Sequence, residues 1–313
     1  PSRQRAQKCA SFAHLTRWHR RGQSSMAQSR FYQITPGPLP PGLPEPVTHL
    51  PATHWPTAPG PSAASAQPQT RAIPEETAIA LSYDGSTHAV MMASPRDLHD
   101  FALGFSLTSG RVHRPEDLRE IEVVALETGI DLRIWLSPEA AARQMAHRRF
   151  MAGPTGCGLC GVDSLAAALP DLPRVADDTR FAAADIHAAR AALHAAQDLH
   201  SATRAVHGAG LWHPQAGLVA LREDVGRHNA LDKLVGALAR QGQTGAGGVL
   251  VLTSRVSVEM VQKCAVLGAP VLAAVSAPTA LAVRSAEAAG ITLVARARET
   301  GFDVFTGAAR LTG

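Results

Sequence analysis

The chain has 313 residues, 45% of them hydrophobic, with a formal net charge of +4 and a pI near 9.2. This length provides for one large domain or two moderate ones. No run of 18 apolar residues occurs, which excludes a transmembrane helix, and four cysteines are too few for a disulfide scaffold.

The positive charge is concentrated at the start of the chain and does not predict nucleic-acid binding. Residues 1–70 hold seven Lys or Arg and a single acid, Glu45, which leaves 23 basic and 25 acidic residues for 71–313. No stripe of basic residues with interleaved aromatics follows. The first 30 residues also lack the apolar core of a secretory signal. We therefore expect a cytoplasmic protein with no nucleic-acid and no membrane partner.

Residues 1–72 are predicted to be a disordered Pro-rich extension. Eleven prolines fall between Pro36 and Pro68, mixed with Ala, Ser, Gln and Thr. Such a segment buries too little apolar surface to offset the entropy of ordering it. Order is expected to begin near Ile73.

A small α+β unit is predicted over residues 73–150. Thr77–Tyr83 and Thr87–Met92 are predicted strands, because Asp84–Gly85 between them is a strong hairpin signal. A second strand pair is predicted at Ile121–Leu126 and Leu132–Leu136.

A helix is predicted between these two strand pairs. Ser94 is expected to cap its start, with Pro95 as the first helical residue, and Gly110 is expected to end it. Its apolar face is predicted to carry Leu98, Phe101, Ala102 and Phe105.

Residues 151–163 form a glycine-rich loop that carries a Cys-x-x-Cys pair, Cys157 and Cys160. Glycines at 156, 158 and 161 leave the sulfurs accessible. The thiolate is the reactive form of cysteine, and a second thiol at this spacing can resolve or share a transferred sulfur. We predict that both cysteines are catalytic. A zinc site, a dithiol oxidoreductase motif and an incidental turn are alternative interpretations.

An α/β domain is predicted over residues 164–313. It begins with a helix at Ala182–Leu199, after which strands and helices alternate, and this pattern indicates a parallel or mixed sheet with helical crossovers. The predicted strands are Gly217–Leu221, Gly248–Thr253, Pro270–Val275 and Ile291–Ala295, and the predicted helices are His228–Arg240, Ser257–Leu267 and Thr279–Ala289.

Three strand-to-helix turns of this domain carry candidate ligand-binding residues. They are Arg227 and His228, then Ser254 and Arg255, then Thr279. Helix N-termini attract anions, and ligands of such sheets bind at the carboxyl ends of the strands. Capped helices with solvated polar faces would give the same pattern. Binding is favoured because the three turns are expected to meet at one edge of the sheet.

With these motifs in place, the chain strongly resembles the FdhD family, the formate dehydrogenase accessory sulfurtransferases, over roughly Ile73–Leu311. The eleven-residue run EDVGRHNALDK is the most specific element of the resemblance. The matching motifs are ALGF at Ala102–Phe105, CGLCG at Cys157–Gly161, EDVGRHNALDK at Glu223–Lys233, TSRVSVEMVQK at Thr253–Lys263, SAPTALAV at Ser276–Val283 and FDVFTG at Phe302–Gly307.

The resemblance implies a function as a sulfur carrier. Proteins of this family take persulfide sulfur from a cysteine desulfurase and pass it to molybdenum held by two molybdopterin guanine dinucleotides, for formate dehydrogenase. Cys157 matches the persulfide-carrying cysteine and Cys160 matches its companion. The molybdenum cofactor is thus a bound substrate, and neither a permanent cofactor nor a metal site is expected.

The resemblance also carries expectations about cofactor binding and fold. It assigns cofactor contact to Phe302, Asp303, Val304, Phe305, Thr306 and Gly307. It implies a cytidine-deaminase-like αβα second half and a homodimer.

A zinc deaminase and a cofactor-binding chaperone are two alternatives to a sulfur carrier. A zinc deaminase requires a His-x-Glu, but Ala209 occupies the Glu position after His207 and Gly156 replaces the expected proline. A chaperone that binds the cofactor without sulfur transfer stays open. The role of His207 is also open, because Thr203 and Arg204 begin a stretch that departs from the family pattern there.

Overall fold

The computed structural model of the chain describes residues 41–55, 66–151 and 171–313, which adopt a mixed α/β fold. No helix within those residues combines the length and apolarity needed to cross a bilayer. A four-stranded sheet and a six-stranded sheet form the two main β layers. The predicted fold class is confirmed at this level.

The four-stranded sheet has the order β4-β3-β6-β5. Its strands are β3 (Thr77–Tyr83), β4 (Ser86–Ala93), β5 (Leu118–Leu126) and β6 (Gly129–Leu136). Both residues of the β3–β4 turn, Asp84 and Gly85, have positive φ, as a two-residue hairpin of this type requires. Both predicted strand pairs are confirmed.

An N-terminal β-ribbon corrects the prediction that order begins near Ile73. Strands β1 (Val47–His54) and β2 (Gln67–Pro74) pair antiparallel, and β2 packs against the helix at Asp198–Thr203. The prolines fit because both strands of a two-stranded ribbon are edges, where a missing N–H is tolerated. Composition alone had suggested disorder for these strands.

Helix α1 (Leu98–Thr108) lies where a helix was predicted, but its predicted cap is wrong. Its N-cap is Asp97, in the left-handed region with φ 55, and no side chain caps the helix. Ser94 instead contacts residues far along the chain. Its N–H donates to Asp224 at 3.0 Å, and its Oγ accepts from Val225 N at 3.1 Å. The buried partner thus overrides the local capping preference.

The six-stranded sheet has the order β13-β12-β11-β10-β8-β9. Strands β10, β11 and β12 are parallel, β8 is antiparallel to β10, and β9 is antiparallel to β8. The strands are β8 (His207–His213), β9 (Gly217–Asp224), β10 (Val249–Leu252), β11 (Val271–Ala274), β12 (Thr292–Arg298) and β13 (Gly301–Val304).

Helices cover both faces of this sheet. The helices on its two faces are α3 (Ala183–Ala196) on one side and α5 (Arg227–Arg240), α6 (Val258–Leu267) and α7 (Ala280–Ala289) on the other. Successive residues of β10 alternate between the two cores, with Leu250 and Leu252 on the α5 side and Val249 and Val251 on the α3 side.

Several elements differ from the predictions. The helix predicted at Ala182–Leu199 is divided near Gln197 into α3 and α4 (Asp198–Thr203). Strands β8 and β13 and helix α2 (Pro138–Met151) were not predicted. A short parallel pair, β7 (Phe181–Ala182) and β14 (Leu311–Thr312), is added near the C-terminus.

Helices α1 and α5 cross at two glycines and join the two domains. A Cβ at Gly104 would lie 1.7 Å from the carbonyl oxygen of Asp232, and one at Gly236 would lie 1.9 Å from that of Asp100. Only residues without a side chain permit this approach. The ALGF motif thereby has a structural explanation.

Candidate functional site

The site lies at the edge of the six-stranded sheet where β9, β10 and β11 end. These strands run in the same direction, so their following turns share one edge, as predicted. The second and third turns contact each other, because Thr279 N donates to Val256 O at 3.0 Å. Strand β8 contacts the second turn, because Gly208 N donates to Thr253 Oγ1 at 2.9 Å. The antiparallel strand β8 begins at this edge with His207.

Much of the run Glu223–Lys233 is buried. Asp224 Oδ2 accepts from Lys233 Nζ at 2.5 Å and from Ser94 N, and its Oδ1 accepts from Asn229 Nδ2 at 3.1 Å and from Gly226 N at 2.7 Å. Lys233 Nζ also donates to Ser94 O at 2.8 Å. We call Ser94, Asp224, Asn229 and Lys233 the buried network. It holds the end of β4 against the β9–α5 turn.

Two other carboxylates of the same run have structural partners. Glu223 accepts from the backbone N–H groups of Leu199 and His200 at 2.9 and 2.8 Å, which caps the start of α4. Asp232 accepts from Lys263 Nζ and Thr108 Oγ1, each at 2.5 Å, which links α5 to α6 and α1. The sequence had left a solvated charged face open as an interpretation, and these contacts exclude it for Glu223 and Asp232.

Arg227 is the first residue of α5 and is partly buried at the site edge. Among the described residues, its buried Nε has no hydrogen-bond partner. The same holds for the buried Oγ of Ser257, at the turn before α6. Buried polar atoms in folded proteins are normally satisfied, so these two atoms mark the edge as a candidate site for a polar ligand.

His228 forms an ion-pair contact with Glu259 across the edge. His228 Nε2 and Glu259 Oε2 lie 2.6 Å apart, with 28% and 56% of their side chains exposed. Burial lowers the pKa of His228, Glu259 opposes this shift, and Arg227 and Lys263 add to it. The imidazole is therefore held toward its neutral form until negative charge approaches.

His207 lies on the same edge, opposite Asp224 in the β8–β9 ladder. Burial is the largest cause of its lowered pKa, followed by the positive charge of Arg227. His207 also interacts electrostatically with His228. We call His207, Arg227, His228 and Glu259 the edge cluster. Glu259 was not among the predicted site residues, because its partner is 31 positions away in the sequence.

The hydroxyl groups predicted as ligands at the second and third turns have internal partners. Ser254 is buried and its Oγ donates to Arg255 O at 3.1 Å. Thr279 is the N-cap of α7, where its Oγ1 accepts from Ala282 N at 3.2 Å. Arg255 is exposed on the same edge. These turns lie at the site, but their hydroxyl groups serve the protein's own backbone.

The segment Phe302–Gly307 lies at the other end of the sheet. Strand β13 and strand β9 are separated by five strand spacings, about 24 Å. Thr306 is buried and bonds Ile291 O and Leu293 N, and Gly307 O accepts from Thr292 Oγ1 at 2.9 Å. The structure therefore does not bring this segment together with the edge cluster.

The middle of this segment, from Asp303 to Phe305, is exposed, whereas Phe302 is partly buried and Thr306 is buried. Phe302 packs in the α3 core, with its ring 5.3 Å from that of His187. Asp303 pairs with Arg296 at 3.3 Å on the surface. Val304 and Phe305 are exposed large hydrophobic residues, at 36% and 40%.

Cys157 and Cys160 lie outside the described residues. Cys264, in α6, is a buried free thiol whose pKa is raised by burial, which makes it unreactive. Within residues 41–55, 66–151 and 171–313, no three His, Cys, Asp or Glu side chains converge as metal ligands.

Comparison with known proteins relates the chain to sulfur carriers. The model of the FdhD/NarQ family matches residues 74–312. The sulfur carrier protein FdhD of Agrobacterium fabrum is 55% identical over 244 residues, which is 77% of this chain and 89% of that protein. The sulfur carrier protein FdhD of Brucella abortus is 56% identical over 246 residues, which is 78% of this chain and 91% of that protein.

A solved structure supports the fold. The crystal structure assigned to a formate dehydrogenase accessory protein from Desulfotalea psychrophila matches with a TM-score of 0.66 at 24% identity. The match covers 86% of this chain and all of that one.

Proposed function

Because the chain belongs to the FdhD/NarQ family, we propose that it is a sulfur carrier that moves persulfide sulfur from a cysteine desulfurase to a molybdenum cofactor. The cofactor is the bis(molybdopterin guanine dinucleotide) form, bound as a substrate, and formate dehydrogenase is the recipient. The name shared by relatives at 55% and 56% identity supports sulfur carriage. Donor, cofactor and recipient rest on the motif resemblance.

Sulfur transfer is assigned to Cys157 with Cys160 as its companion. The Cys157 thiolate attacks the terminal sulfur of the donor persulfide, a new S–S bond forms, and the donor cysteine leaves as a thiolate. Cys157 then carries one extra sulfur atom. On delivery the S–S bond breaks with its electron pair on Cys157, which returns to the thiolate, and the outer sulfur passes to the substrate molybdenum, which supplies the two electrons that reduce it to sulfide.

The edge cluster is the observation that carries the cofactor half of the proposal. A guanine dinucleotide presents phosphate oxygens, and Arg227 offers a buried Nε without a partner among the described residues. A guanidinium and a helix N-terminus together suit phosphate. We assign the phosphates to Arg227 and His228, beside Arg255 and the turns at Ser254 and Thr279.

The segment that carries the cysteines is attached at both ends to described residues. Cys157 lies six residues after Met151, the last residue of α2, and 14 residues before Asp171. Six extended residues span at most about 22 Å, so the shorter attachment limits how far Cys157 can lie from the end of α2. The second contact assigned by resemblance, Phe302–Gly307, requires a ligand that extends along the sheet or a second binding arm. A cofactor with two guanine dinucleotides offers two arms.

Further parts of the proposal concern architecture and location. The helix–sheet–helix layering around β10 supports a cytidine-deaminase-like second half. We also propose a homodimer, a cytoplasmic location where thiols stay reduced, and the division of the chain at residues 151 and 164.

A persulfide assay tests the sulfur half of the proposal. The protein is incubated with a cysteine desulfurase and cysteine, and the loop peptide is analysed by mass spectrometry. We expect an addition of about 32 Da on the peptide that carries Cys157. Cys157→Ala abolishes it, together with activation of formate dehydrogenase, and Cys9→Ala serves as the matched thiol control. Full activation by Cys157→Ala would contradict the proposal.

The persulfide assay, elemental analysis and nucleotide binding together separate the alternatives. A cofactor chaperone binds guanosine diphosphate but takes up no sulfur, and a zinc protein carries stoichiometric metal by elemental analysis. Binding of guanosine diphosphate, measured by calorimetry, tests the cofactor half independently of the cysteines.

A further inference from the structure

The edge cluster combines one permanent positive charge with two imidazoles that are held toward neutrality. His207 comes from the start of β8, Arg227 and His228 from the first turn of α5, and Glu259 from the first turn of α6. Three separate elements thus bring these side chains to one edge. The proposed sulfur chemistry leaves both histidines without a role.

We propose that His207 and His228 are a proton-accepting pair that binds the phosphates of the guanine nucleotide, with Glu259 as the residue that positions His228. The inference rests on the proposed function, which supplies a phosphate-bearing ligand. When the ligand binds, His207 and His228 each take up a proton.

The charged groups around His228 come from two helices. Glu259 and Lys263 face it from α6, and Arg227 precedes it on α5. Of these, only Glu259 favours the protonated imidazole. Burial, Arg227 and Lys263 all favour the neutral one, so the free protein holds His228 neutral near pH 7.

His207 has a similar balance of charges around it. Arg227, His200 and His228 disfavour its protonation, and Asp224 favours it. Asp224 is already neutralised by Lys233 in the buried network. The other carboxylate of the edge cluster, Glu259, pairs with His228, so a bound anion would supply the additional negative charge at His207.

A bound phosphate reverses this balance at both imidazoles. Its negative charge offsets Arg227 and stabilises each imidazolium, so the pKa of each histidine rises on binding. By linkage, affinity then increases as pH falls, by up to about tenfold per pH unit for each proton taken up. Arg227 alone, which stays charged, would give no proton uptake by the protein on binding.

Glu259 determines where in the pH range this change falls. Its carboxylate lies 2.6 Å from Nε2 and fixes the orientation of the ring. Without that charge, protonation of His228 requires a lower pH. The negative charge of Glu259 beside an anion site is therefore explained by its effect on His228.

Titration calorimetry tests the proposal. Guanosine diphosphate and inorganic pyrophosphate are each titrated into the full chain between pH 6 and 8, in buffers of different ionisation enthalpy, which report the protons taken up. The ligand's own phosphate titrates near pH 6, so each variant is compared with the unmodified protein under the same conditions.

The variants separate a proton-accepting role from a structural one. His207→Gln and His228→Gln are each expected to reduce proton uptake by up to one, with a correspondingly flatter pH profile. Glu259→Gln keeps a hydrogen-bonding side chain and is expected to move the profile to lower pH. His194→Gln, an exposed residue of α3, is the control and leaves the profile unchanged.

Each outcome decides the proposal. Reduced uptake with both ligands supports the pair and shows that phosphate, rather than the base, is recognised. Equal uptake in all variants with retained binding overturns the pair and leaves the proposed function intact. A loss of affinity by the same factor at every pH in Glu259→Gln overturns its positioning role. No binding of either ligand by the unmodified protein overturns the cofactor half of the proposed function as well.

Discussion

One eleven-residue run, Glu223–Lys233, contributes residues to both the buried network and the edge cluster, and these two groups have opposite relations to their surroundings. In the buried network, Asp224 and Lys233 are fully buried and each has several hydrogen-bond partners. In the edge cluster, Arg227 and His228 follow Asp224 within four positions, yet they are partly exposed. Their sequence neighbours give no sign of this difference.

Within one motif, some polar residues stabilise the fold and others can bind a ligand. A satisfied buried polar group fixes a structure, because removal of one partner leaves the other uncompensated. A group with an incomplete set of partners, such as Arg227 Nε, is available to a ligand. Substitutions in the two regions should therefore separate stability from binding.

The largest effect on stability is expected in the buried network. Lys233→Met leaves the Asp224 carboxylate buried with backbone and amide donors only. Loss of one member of a buried ion pair costs roughly 3–5 kcal/mol in the free energy of unfolding. Urea unfolding of the purified protein measures it.

The matched control for this substitution lies on the same helix. Arg240→Met removes a pair with Asp100 whose arginine is 54% exposed, and Asp100 keeps Arg222 as a partner. We expect a loss of at most about 1 kcal/mol. Equal losses in the two variants would show that the buried network is no more important than the surface pair.

The next largest effect concerns the crossing of α1 and α5. Gly104→Ala places a methyl group against the Asp232 backbone, so the helices must separate. Overpacking of this kind costs about 1–3 kcal/mol. Gly242→Ala is unsuitable as a control because its φ of +65 adds backbone strain. Ala237→Gly, on the partner helix α5, introduces no clash and is expected to cost about 1 kcal/mol from helix propensity, plus the loss of a buried methyl group. Urea unfolding of the Gly104→Ala and Ala237→Gly variants measures the two losses in the free energy of unfolding.

Local sequence signals predicted much of the fold. The Asp84–Gly85 hairpin, helix α5 and the alternation from β9 to β12 each depend on patterns within a few residues. Strands β1 and β2 were missed because proline content masked their pairing. Ser94 was assigned a local cap because its actual partner, Asp224, is 130 positions away.

The edge at which the three strand-to-helix turns meet could be predicted from the sequence, but the side-chain contacts at that edge could not. Arg227 and His228 follow a strand that ends at the expected edge, which the alternating pattern specifies. The contact between His228 and Glu259 depends on how α6 packs beside α5, which no local pattern encodes. The sequence also could not show that Thr279 and Ser254 have internal partners.

A smaller effect on stability is expected at Arg227. Arg227→Ala removes a partly buried side chain for which no hydrogen bond at Nε is present among the described residues. We expect the free energy of unfolding to change by about 0.5 kcal/mol or less. Affinity for guanosine diphosphate should fall roughly 10- to 100-fold, which corresponds to a hydrogen bond to a charged group. Calorimetry and urea unfolding on the same sample test this separation.

The smallest effect concerns pH and distinguishes the two regions without a ligand. The pKa values of His207 and His228 are lowered in the folded protein, mainly by burial, so the unfolded chain binds protons more readily. Their contribution is therefore complete above about pH 6.5 and is lost as pH falls from there toward the lowered values. The double variant His207→Gln and His228→Gln should lose less stability between pH 7.5 and 5.5, to be measured by urea unfolding at each pH. His99 and His213 have pKa values shifted in the same direction, and they are present in both proteins, so the difference between the two isolates the edge cluster. An identical pH dependence would mean that the two imidazoles are as easily protonated in the folded chain as in the unfolded one, and the contrast with the buried network would then rest on Arg227 alone.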